Sequence, residues 1–256
     1  MVEVNGKTLA VEKQGDGPAL VMVHGLGGTS NAFFPQVALL SRWFTVIRPD
    51  LEGSGRSPLK GKPSIESFAD DVLAVMDDAG AKEAHLIGHS MGTIVCQHLA
   101  AKHPKRIKSL ALFGPIAEPP EPARAAINDR AKTARKDGMV GIADTLVNAG
   151  TSAVTKAHHP ATAAFVREIL MRQDAKGYAA TCEALAAVKS ADLAKIACPT
   201  LLLTGDEDGV APPAAVQKLA KGIKGAKMVV FSGCGHWTQI EKPAEVNAAL
   251  VNFYFG

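Results

Sequence analysis

The sequence predicts an α/β protein, built on a mostly parallel, doubly wound sheet with an inserted helical cap. Short apolar runs, such as Ala-Leu-Val-Met-Val-His at 19–24, alternate with longer segments whose apolar residues recur every three or four positions. The runs are apolar throughout rather than at every second residue, so helices are expected to cover both faces of the sheet. Between Pro115 and Ala197 the alternation stops and only helical patterns remain, which predicts an insertion.

The individual strands and helices follow from local patterns. The strands are expected at 2–4, 9–13, 19–24, 44–48, 84–88, 109–114, 200–205 and 228–232. The first two are expected to form a hairpin around Asn5-Gly6, a dipeptide typical of tight hairpin turns. Ser64 is predicted to cap a helix whose apolar residues run from Ile65 to Ala79, and Pro243 is predicted to begin the last helix.

The insertion is the largest departure from the regular pattern. It begins with a proline cluster at 118–122 and continues with helical patterns at 123–136, 139–149, 161–172 and 175–188. We expect residues 1–115 and 198–256 to form the core and residues 116–197 to form a cap. Open α/β sheets bind ligands outside the carboxyl ends of their strands, and the cap is expected to lie there. A helical insertion without a role in binding is the alternative.

The composition excludes several classes of protein. A chain of 256 residues can bury a sizeable core without disulfides or a structural metal. A net charge of +3, with both signs mixed along the chain, lacks the footprint of a nucleic-acid-binding protein. No run of about 18 apolar residues is present, so no membrane span is expected. The first residues lack the apolar core of a signal peptide, which indicates a cytoplasmic protein.

The cysteines give no sign of a metal or redox site. They lie far apart, without CxxC spacing, at Cys96, Cys182, Cys198 and Cys234, and are expected to be free thiols. No metal ion or organic cofactor is implied. The expected partner is a small-molecule substrate, and the sequence leaves the oligomeric state open.

Gly88-His89-Ser90-Met91-Gly92 has the pattern Gly-x-Ser-x-Gly and lies between a predicted strand and a predicted helix. In a nucleophile elbow the serine occupies the tip of a very tight turn, and the glycines leave room for that turn. The serine is then exposed at a helix N-terminus. Ser90 is therefore the predicted nucleophile. A chance match in a Gly/Ser-rich turn is the alternative, and the flanking strand and helix argue against it.

A serine nucleophile requires a base, and His236 is the predicted one. It follows the last strand within Gly-Cys-Gly-His-Trp and precedes the last helix, so a flexible turn can bring its imidazole over Ser90. An ordinary loop histidine is the alternative. Three other histidines compete: His24 is expected to brace a glycine loop, His89 to point away, and His98 to lie on the wrong side of the turn.

The base in turn requires a carboxylate that fixes its tautomer and stabilises the imidazolium. Thr-Gly-Asp-Glu-Asp-Gly at 204–209 supplies three acids directly after a predicted strand. Asp208 lies further along this loop and is the predicted partner of His236. Asp206 is expected to cap the turn. A solvated acidic loop without a catalytic role is the alternative.

Acyl transfer also requires donors for the oxyanion. His-Gly-Leu-Gly-Gly at 24–28 follows a strand, and its small residues allow the backbone to approach a substrate. The backbone N–H groups of Leu26 and Met91 are the predicted donors, because Met91 follows the nucleophile and begins a helix. A phosphate-binding loop is the alternative, but GxGxxG and a following Lys-Ser/Thr pair are both absent.

With these motifs the chain resembles the α/β-hydrolase superfamily over essentially its whole length. The resemblance also rests on Asp-Leu-Glu-Gly-Ser-Gly-Arg-Ser at 50–57 and on the chain order Ser90, Asp208, His236. It implies the α/β-hydrolase fold and a catalytic triad. Serine at the nucleophile position argues against haloalkane dehalogenases and epoxide hydrolases, which carry aspartate there.

The chain further resembles 3-oxoadipate enol-lactonases. That likeness rests on Gly138-Met139 with the following Gly-Ile-Ala-Asp, and on the segment from Met171 through 177–184. Those lactonases usually carry an Arg-Trp-Phe run in the cap, where this chain has Asn-Ala-Gly-Thr at 148–151. Because the cap also has few aromatic residues, we expect uncharged short-to-medium esters to be better substrates than an anionic enol-lactone.

The expected activity is that of a serine esterase or lactonase, a carboxylic-ester hydrolase that forms an acyl-enzyme on Ser90. Enol-lactone hydrolysis is the leading special case. The alternatives are carbon–carbon bond hydrolysis or perhydrolysis on the same triad, or a small-molecule receptor with slow turnover.

Overall fold

The computed structural model describes residues 1–256, and a seven-stranded sheet runs through its centre. The strands are β1 Val2–Val4, β2 Lys7–Leu9, β3 Val11–Gln14, β4 Ala19–Val23, β5 Thr45–Pro49, β6 Ala84–His89, β7 Ile107–Phe113, β8 Thr200–Gly205 and β9 Lys227–Phe231. Strands β1 and β2 form a separate two-stranded sheet. The other seven form the central sheet, in the order β3-β5-β4-β6-β7-β8-β9. Only β3 runs antiparallel to its neighbour, so the sheet is mostly parallel, as predicted.

Eleven α-helices connect and cover the strands. They are α1 Phe34–Leu40, α2 Ile65–Asp78, α3 Met91–Lys102, α4 Glu121–Asp137, α5 Val140–Gly150, α6 Ala153–His158, α7 Pro160–Met171, α8 Ala175–Ala187, α9 Pro213–Lys221, α10 Thr238–Glu241 and α11 Pro243–Phe255. Ser64 caps α2, since its side chain accepts from the N–H of Ser67. None of the helices combines the length and hydrophobicity needed to cross a bilayer.

The predicted hairpin at the N-terminus was wrong in its second strand. Asn5 and Gly6 have φ of 50° and 71°, which suits a two-residue hairpin turn. A two-residue turn forces Lys7 to pair with Val4, so the partner strand is β2, not residues 9–13. The next residues form β3, which leaves the hairpin and pairs with β5 at the edge of the main sheet.

Alternate residues of each strand pack on opposite faces of the sheet. In β4, Val21 and Val23 join a large core cluster that includes apolar residues of α2 and α3. Leu20 and Met22 point the other way, into a second cluster with residues of α1 and α11. The two clusters explain why the strand is apolar at every position: each face of the sheet is buried under helices.

Helices α4 to α8 lie between β7 and β8 in the chain, within the predicted insertion. Four were predicted and α6 was not, because its six residues give little periodicity. Ser152 caps α6 by accepting from the N–H of Thr155. A third apolar cluster joins α5 and α7 to residues of the core, including Trp237 and Ile240. The inserted helices therefore pack on the core beside the carboxyl ends of the strands.

Candidate active site

Ser90 lies at the tip of a strained turn between β6 and α3. Its backbone has φ 52° and ψ −121°, and Asn5 is the only other non-glycine residue with positive φ. Such a conformation costs about 1–3 kcal/mol, so the surrounding structure must enforce it. A Cβ on Gly88 would lie 2.7 Å from the carbonyl oxygen of Gly92. A Cβ on Gly92 would lie 2.1 Å from the carbonyl oxygen of Val23. Glycine is therefore required at both positions.

Ser90, His236 and Asp208 meet in one chain of hydrogen bonds, although they lie far apart in the sequence. His236 Nε2 is 2.8 Å from Ser90 Oγ, and His236 Nδ1 is 2.9 Å from Oδ2 and 3.0 Å from Oδ1 of Asp208. An ionised carboxylate only accepts hydrogen bonds, so Nδ1 carries the proton and donates. Nε2 then accepts from the Ser90 hydroxyl, which is the arrangement that can activate a serine.

Asp208 is held in its ionised form. Its side chain is buried, and Oδ1 accepts from the backbone N–H groups of Val210 and Ala211, both at 2.8 Å. Burial would raise the pKa of this carboxyl, but the charge and hydrogen bond of His236 and these two N–H donors outweigh burial. Together they lower the pKa of Asp208 to about 2.

The two neighbouring acids make other contacts. Asp206 Oδ1 accepts from the N–H of Cys234 at 3.2 Å, which ties the acid loop to the loop that carries His236. Glu207 Oε2 accepts from the N–H of Ala153 at 2.8 Å, at the start of α6. Neither carboxylate is hydrogen-bonded to the imidazole, so Asp208 is the residue of the three that is placed to orient it.

Glu241 was not singled out in the sequence, yet it holds the loop of His236 from both sides. Its Oε1 accepts from the N–H groups of Gly235 at 3.1 Å and Trp237 at 3.2 Å. Its Oε2 accepts from the Ser152 N–H and the Thr155 hydroxyl, both at 2.8 Å. A buried carboxylate thus joins the histidine loop to the inserted helices. No local motif marks it, because Ser152 and Thr155 are remote in sequence.

His89 does not point away from the elbow, and that expectation was wrong. The residue is buried, and its Nε2 donates to the backbone carbonyl of His236 at 3.0 Å. The His89 ring centroid lies 5.1 Å from that of His236 and 4.8 Å from that of Trp237. Burial, together with the neighbouring His236, lowers the pKa of His89 to about 3. A neutral imidazole therefore packs beneath the histidine loop and supports it.

The other two competing histidines lie away from the Ser90 hydroxyl. His24 Nδ1 donates to the carbonyl of Gly25 at 2.8 Å, and its Nε2 accepts from the N–H of Leu51 at 2.9 Å. It braces the glycine loop, as expected. His98 is near the surface, where its Nε2 contacts the carbonyl of Lys189.

The glycine loop passes directly beside Ser90. A Cβ on Gly25 would lie 2.8 Å from the Cβ of Ser90, so only glycine allows this approach. Leu26 follows it, and no group of the protein accepts a hydrogen bond from the Leu26 N–H. Met91 is the first residue of α3, and the first N–H groups of a helix lack intrahelical acceptors. Both predicted oxyanion donors therefore belong to residues near Ser90: Met91 follows it in the chain, and Leu26 lines the same cavity.

A cavity of about 300 Å³ lies over Ser90 and His236. Most of its wall is apolar and comes from α4, α5, α7, α8 and the segment that precedes them. The lining residues are Leu26, Ser90, Ile116, Pro119, Pro120, Ala123, Ala126, Ile127, Arg130, Leu146, Ala149, Gly150, Leu170, Leu185, Gly209, Val210, His236 and Trp237. This chain lacks the Arg-Trp-Phe run that enol-lactonases usually carry, but the cavity wall contains an aromatic ring, Trp237, and an arginine, Arg130.

Two further features delimit the site. A larger groove of about 480 Å³ on the outer face of α11 is shallow, and its lining contains no nucleophile or histidine. No three side chains of the types that ligate metals are grouped anywhere in the chain. The cavity over Ser90 contains both Ser90 and His236, with Asp208 behind the imidazole.

The comparisons with known proteins agree with this architecture. The sequence model of the alpha/beta hydrolase fold matches residues 18–243. 3-Oxoadipate enol-lactonase 2 of Acinetobacter baylyi is 29% identical over 93% of this chain and 88% of its own. The putative carbamate hydrolase RutD of Variovorax paradoxus is 31% identical over 93% of this chain and 92% of its own.

A solved structure is similar over the full length. The enol-lactonase from Burkholderia xenovorans LB400 is 32% identical, with a TM-score of 0.93, and the match covers 100% of this chain and 99% of that one. Because the family model covers nearly the whole chain and the solved relative shares its complete fold, the protein is a hydrolase that belongs to the alpha/beta hydrolase fold family.

Proposed function

We propose that this hydrolase cleaves carboxylic esters or lactones through an acyl-enzyme on Ser90. One observation carries the proposal: Ser90 Oγ lies 2.8 Å from His236 Nε2 at the floor of an apolar cavity. His236 Nδ1 is at the same time 2.9 Å from Asp208 Oδ2. A hydroxyl, an imidazole and a carboxylate in this order form the arrangement that serine hydrolases use for acyl transfer.

The first step is attack on the carbonyl carbon. Ser90 Oγ forms a bond to that carbon while its proton passes to His236 Nε2. The imidazole becomes positively charged, and the ionised Asp208 stabilises that charge through Nδ1. Because Asp208 stays ionised far below neutral pH, the partner is available whenever the imidazole is neutral and able to accept the proton.

The tetrahedral intermediate carries a negative oxygen, and the proposed donors to it are the backbone N–H groups of Leu26 and Met91. Met91 begins α3, and a helix N-terminus carries a partial positive charge. Donors fixed in advance need no reorganisation when the charge develops, which is why such contacts lower the barrier.

The intermediate then collapses and the bond to the leaving oxygen breaks. That oxygen takes the proton from His236 and leaves as an alcohol, or as the enol of an opened lactone ring. Water next attacks the acyl-enzyme, with its proton accepted by His236. Collapse of the second intermediate returns the proton to Ser90 and releases the acid.

We infer that residues 116–197 act as a cap that encloses the substrate. Support comes from the cavity wall, since α4, α5, α7 and α8 each contribute residues to it. A volume of about 300 Å³ is at the lower end of the range for small-molecule sites, which favours a small substrate. Enol-lactone hydrolysis is the leading special case, because two of the similar proteins are named as enol-lactonases.

Carbamate hydrolysis is a second candidate, favoured by the likeness to the putative carbamate hydrolase. It uses the same attack on a carbonyl, with an amine as the leaving group. No contact in the cavity favours carbon–carbon bond hydrolysis, perhydrolysis or a receptor role. Identification of the products formed from an ester, an enol-lactone and a carbamate separates these reactions.

Covalent labelling tests the acyl-enzyme. We expect a fluorophosphonate to add once to the protein, on Ser90, and to abolish hydrolysis of 4-nitrophenyl acetate, butyrate and hexanoate in parallel. An enol-lactone assay on the same labelled sample should lose activity to the same extent. Labelling of a different residue, or full activity after Ser90 is labelled, would contradict the proposal.

A further inference from the structure

Gln173 joins the inserted helices to the glycine loop, residues 24–28. It lies between α7 and α8 and is buried. Its Nε2 donates to the backbone carbonyls of Gly27 at 3.1 Å and Gly28 at 3.3 Å, and to that of Ile169 in α7 at 2.9 Å. No other side chain of the insertion is hydrogen-bonded to this loop, so Gln173 is its polar connection to the inserted helices.

The amide of Gln173 fits its surroundings in one orientation only. Its Oε1 accepts from the N–H of Gly55 at 3.3 Å, on a third segment of the chain. An exchange of the amide oxygen and nitrogen would place Nε2 against that N–H and Oε1 against three carbonyl oxygens, and none of those pairs can form a hydrogen bond. Buried backbone groups without partners are unfavourable, so the amide stabilises this junction of three segments.

The inserted helices also pack directly on the glycine loop. Gly27 has φ of 73°, in the left-handed region that favours glycine. A Cβ at this position would lie 2.6 Å from Cδ2 of Leu170 and 3.1 Å from Cε2 of Tyr178. Both residues belong to the insertion, one to α7 and the other to α8. The insertion therefore holds the loop by close packing as well as by the hydrogen bonds of Gln173.

The conformation of this loop decides where the N–H of Leu26 points. That N–H belongs to the same planar peptide unit as the carbonyl of Gly25, and the two groups of a trans peptide point in opposite directions. The Gly25 carbonyl accepts from His24 Nδ1 at 2.8 Å and from the N–H of Gly28 at 3.0 Å. Because Gln173 holds the Gly28 carbonyl, it acts on the Leu26 peptide through Gly28, although it does not line the cavity.

We propose that Gln173 is a positioning residue for the oxyanion donor at Leu26, so that the inserted helices help to build the oxyanion site as well as to enclose the substrate. The inference rests on the proposed function, because an oxyanion forms only if Ser90 attacks a carbonyl. A donor lowers the barrier when it is fixed in place before the charge develops. Loss of the Gln173 amide frees the loop, which weakens binding of the transition state and leaves the substrate contacts in the cavity intact.

A buried glutamine elsewhere in the fold provides a matched control. Gln173→Met removes the amide but keeps a side chain of similar length. Gln97 is also buried, and its Nε2 also donates to a carbonyl four residues earlier, that of Thr93, and to a remote one, that of Ile116, both at 2.9 Å. Gln97→Met therefore removes comparable hydrogen bonds that do not involve the glycine loop.

A second variant of Gln173 covers the case in which Gln173→Met does not fold. Gln173→Asn keeps the amide on a side chain that is one methylene shorter, so the amide is drawn back from the carbonyls of the glycine loop. We expect the same direction of effect in every measurement below. A folded Gln173→Asn protein with native kcat and native amide exchange in the loop would overturn the proposal.

Amide exchange tests the anchoring of the loop without any turnover. The N–H of Gly28 is buried and hydrogen-bonded to the Gly25 carbonyl, so its hydrogen exchange should be slow while the loop is held. We expect exchange at Gly28, measured by NMR, to be at least about 10-fold faster in Gln173→Met and within about 2-fold of the native rate in Gln97→Met. Unchanged exchange at Gly28 in Gln173→Met would overturn the proposal even if Ser90 proves to be the nucleophile.

Kinetics and a transition-state analogue test the effect on the oxyanion. A butyl trifluoromethyl ketone forms a tetrahedral adduct with an activated serine, and the adduct carries a negative oxygen. In Gln173→Met we expect its inhibition constant to rise, and kcat on 4-nitrophenyl butyrate to fall, by at least about 10-fold, while KM stays within about 3-fold. In Gln97→Met all three should stay within about 3-fold of native.

Two outcomes of these measurements would contradict the account in different ways. A rise in KM with kcat and ketone affinity unchanged would show that Gln173 only shapes the cavity, and would overturn the proposal. A ketone that fails to inhibit the native protein would contradict the acyl-enzyme and the oxyanion role of Gln173 together. Exchange at Gly28 distinguishes the two failures, because it reports the anchoring of the loop whether or not Ser90 is acylated.

Discussion

Asp208 contacts both His236 and its own loop: Oδ2 and Oδ1 lie 2.9 Å and 3.0 Å from His236 Nδ1, and Oδ1 also accepts from two backbone N–H groups. The same carboxylate therefore fixes the imidazole and is itself fixed by its own loop. Asp206, two residues earlier, contacts only the histidine loop through the N–H of Cys234.

The two aspartates should differ sharply when each is changed to asparagine. Asp208→Asn removes the charge that supports the imidazolium and permits the wrong tautomer, so we expect kcat to fall by about 10⁴. Asp206→Asn removes only the charge of the group that accepts from the Cys234 N–H and should cost about 1 kcal/mol or less of unfolding free energy, with kcat little changed. Steady-state kinetics of both variants on the same ester gives the two kcat values to be compared. The reverse order of effects would make Asp206 the partner of His236.

Asp208 should also contribute to the pH dependence of stability. Its pKa is about 2 in the folded protein, below the ordinary value of about 3.9 in an unfolded chain. A lowered folded pKa gives stability that is complete above the unfolded pKa and is lost as pH falls from about 4 towards 2. By linkage the contribution is on the order of 2–3 kcal/mol.

The check is urea unfolding of the native protein and Asp208→Asn between pH 6 and the lowest pH at which both remain folded. The difference in unfolding free energy between the two proteins should shrink as pH falls. A difference that is constant over this range would show that Asp208 does not titrate with folding.

Glu241→Gln tests the support of the histidine loop. The carboxylate accepts four hydrogen bonds, and an amide nitrogen in place of one oxygen would face donors instead of accepting from them. We expect a loss of about 2–4 kcal/mol in unfolding free energy and a fall in kcat of at least about 10-fold. KM should change less than kcat, because Glu241 does not line the cavity.

Glu207→Gln is the control for that change. Glu207 accepts a single hydrogen bond, from the N–H of Ala153, so its loss should cost about 1 kcal/mol or less and leave kcat near the native value. If both glutamine variants behaved alike, the network around Glu241 would have no special role in placing His236.

Gly25→Ala should disturb the contact between the glycine loop and the turn of Ser90. The new Cβ would lie 2.8 Å from the Cβ of Ser90 and 2.9 Å from the carbonyl oxygen of His89, so the loop and the Leu26 N–H must shift. Loss of one oxyanion donor costs about 10²–10³ in kcat. In the control Gly141→Ala the new Cβ meets no atom within 4 Å, and kcat should be retained. Equal kinetics for the two variants would argue against a donor at Leu26.

The fold was largely predictable because its signals are local. Buried strands such as Ala19–Val23 are short apolar runs, and α2 carries both a helical period and a capping serine. The error at β2 and β3 came from the turn: whether a two-residue loop forms at Asn5-Gly6 decides which residue pairs with Val4. Apolar content alone does not fix that register.

The site was predictable only in part, for a physical reason. Ser90 carries a motif, because its tight turn restricts the neighbouring residue types. His89 and Glu241 make their contacts across long sequence separations, and no short pattern records those contacts. Whether Arg130 faces the cavity depends on how α4 packs on the rest of the protein, which a helical period does not specify.

The most direct test of the proposed chemistry is kcat of the Ser90→Ala protein on 4-nitrophenyl butyrate, with circular dichroism to show that it is folded. Removal of the nucleophile of a serine triad typically lowers kcat by about 10⁴–10⁶, and we predict a loss in that range. A folded Ser90→Ala protein that keeps more than about a tenth of the native kcat would contradict an acyl-enzyme on Ser90.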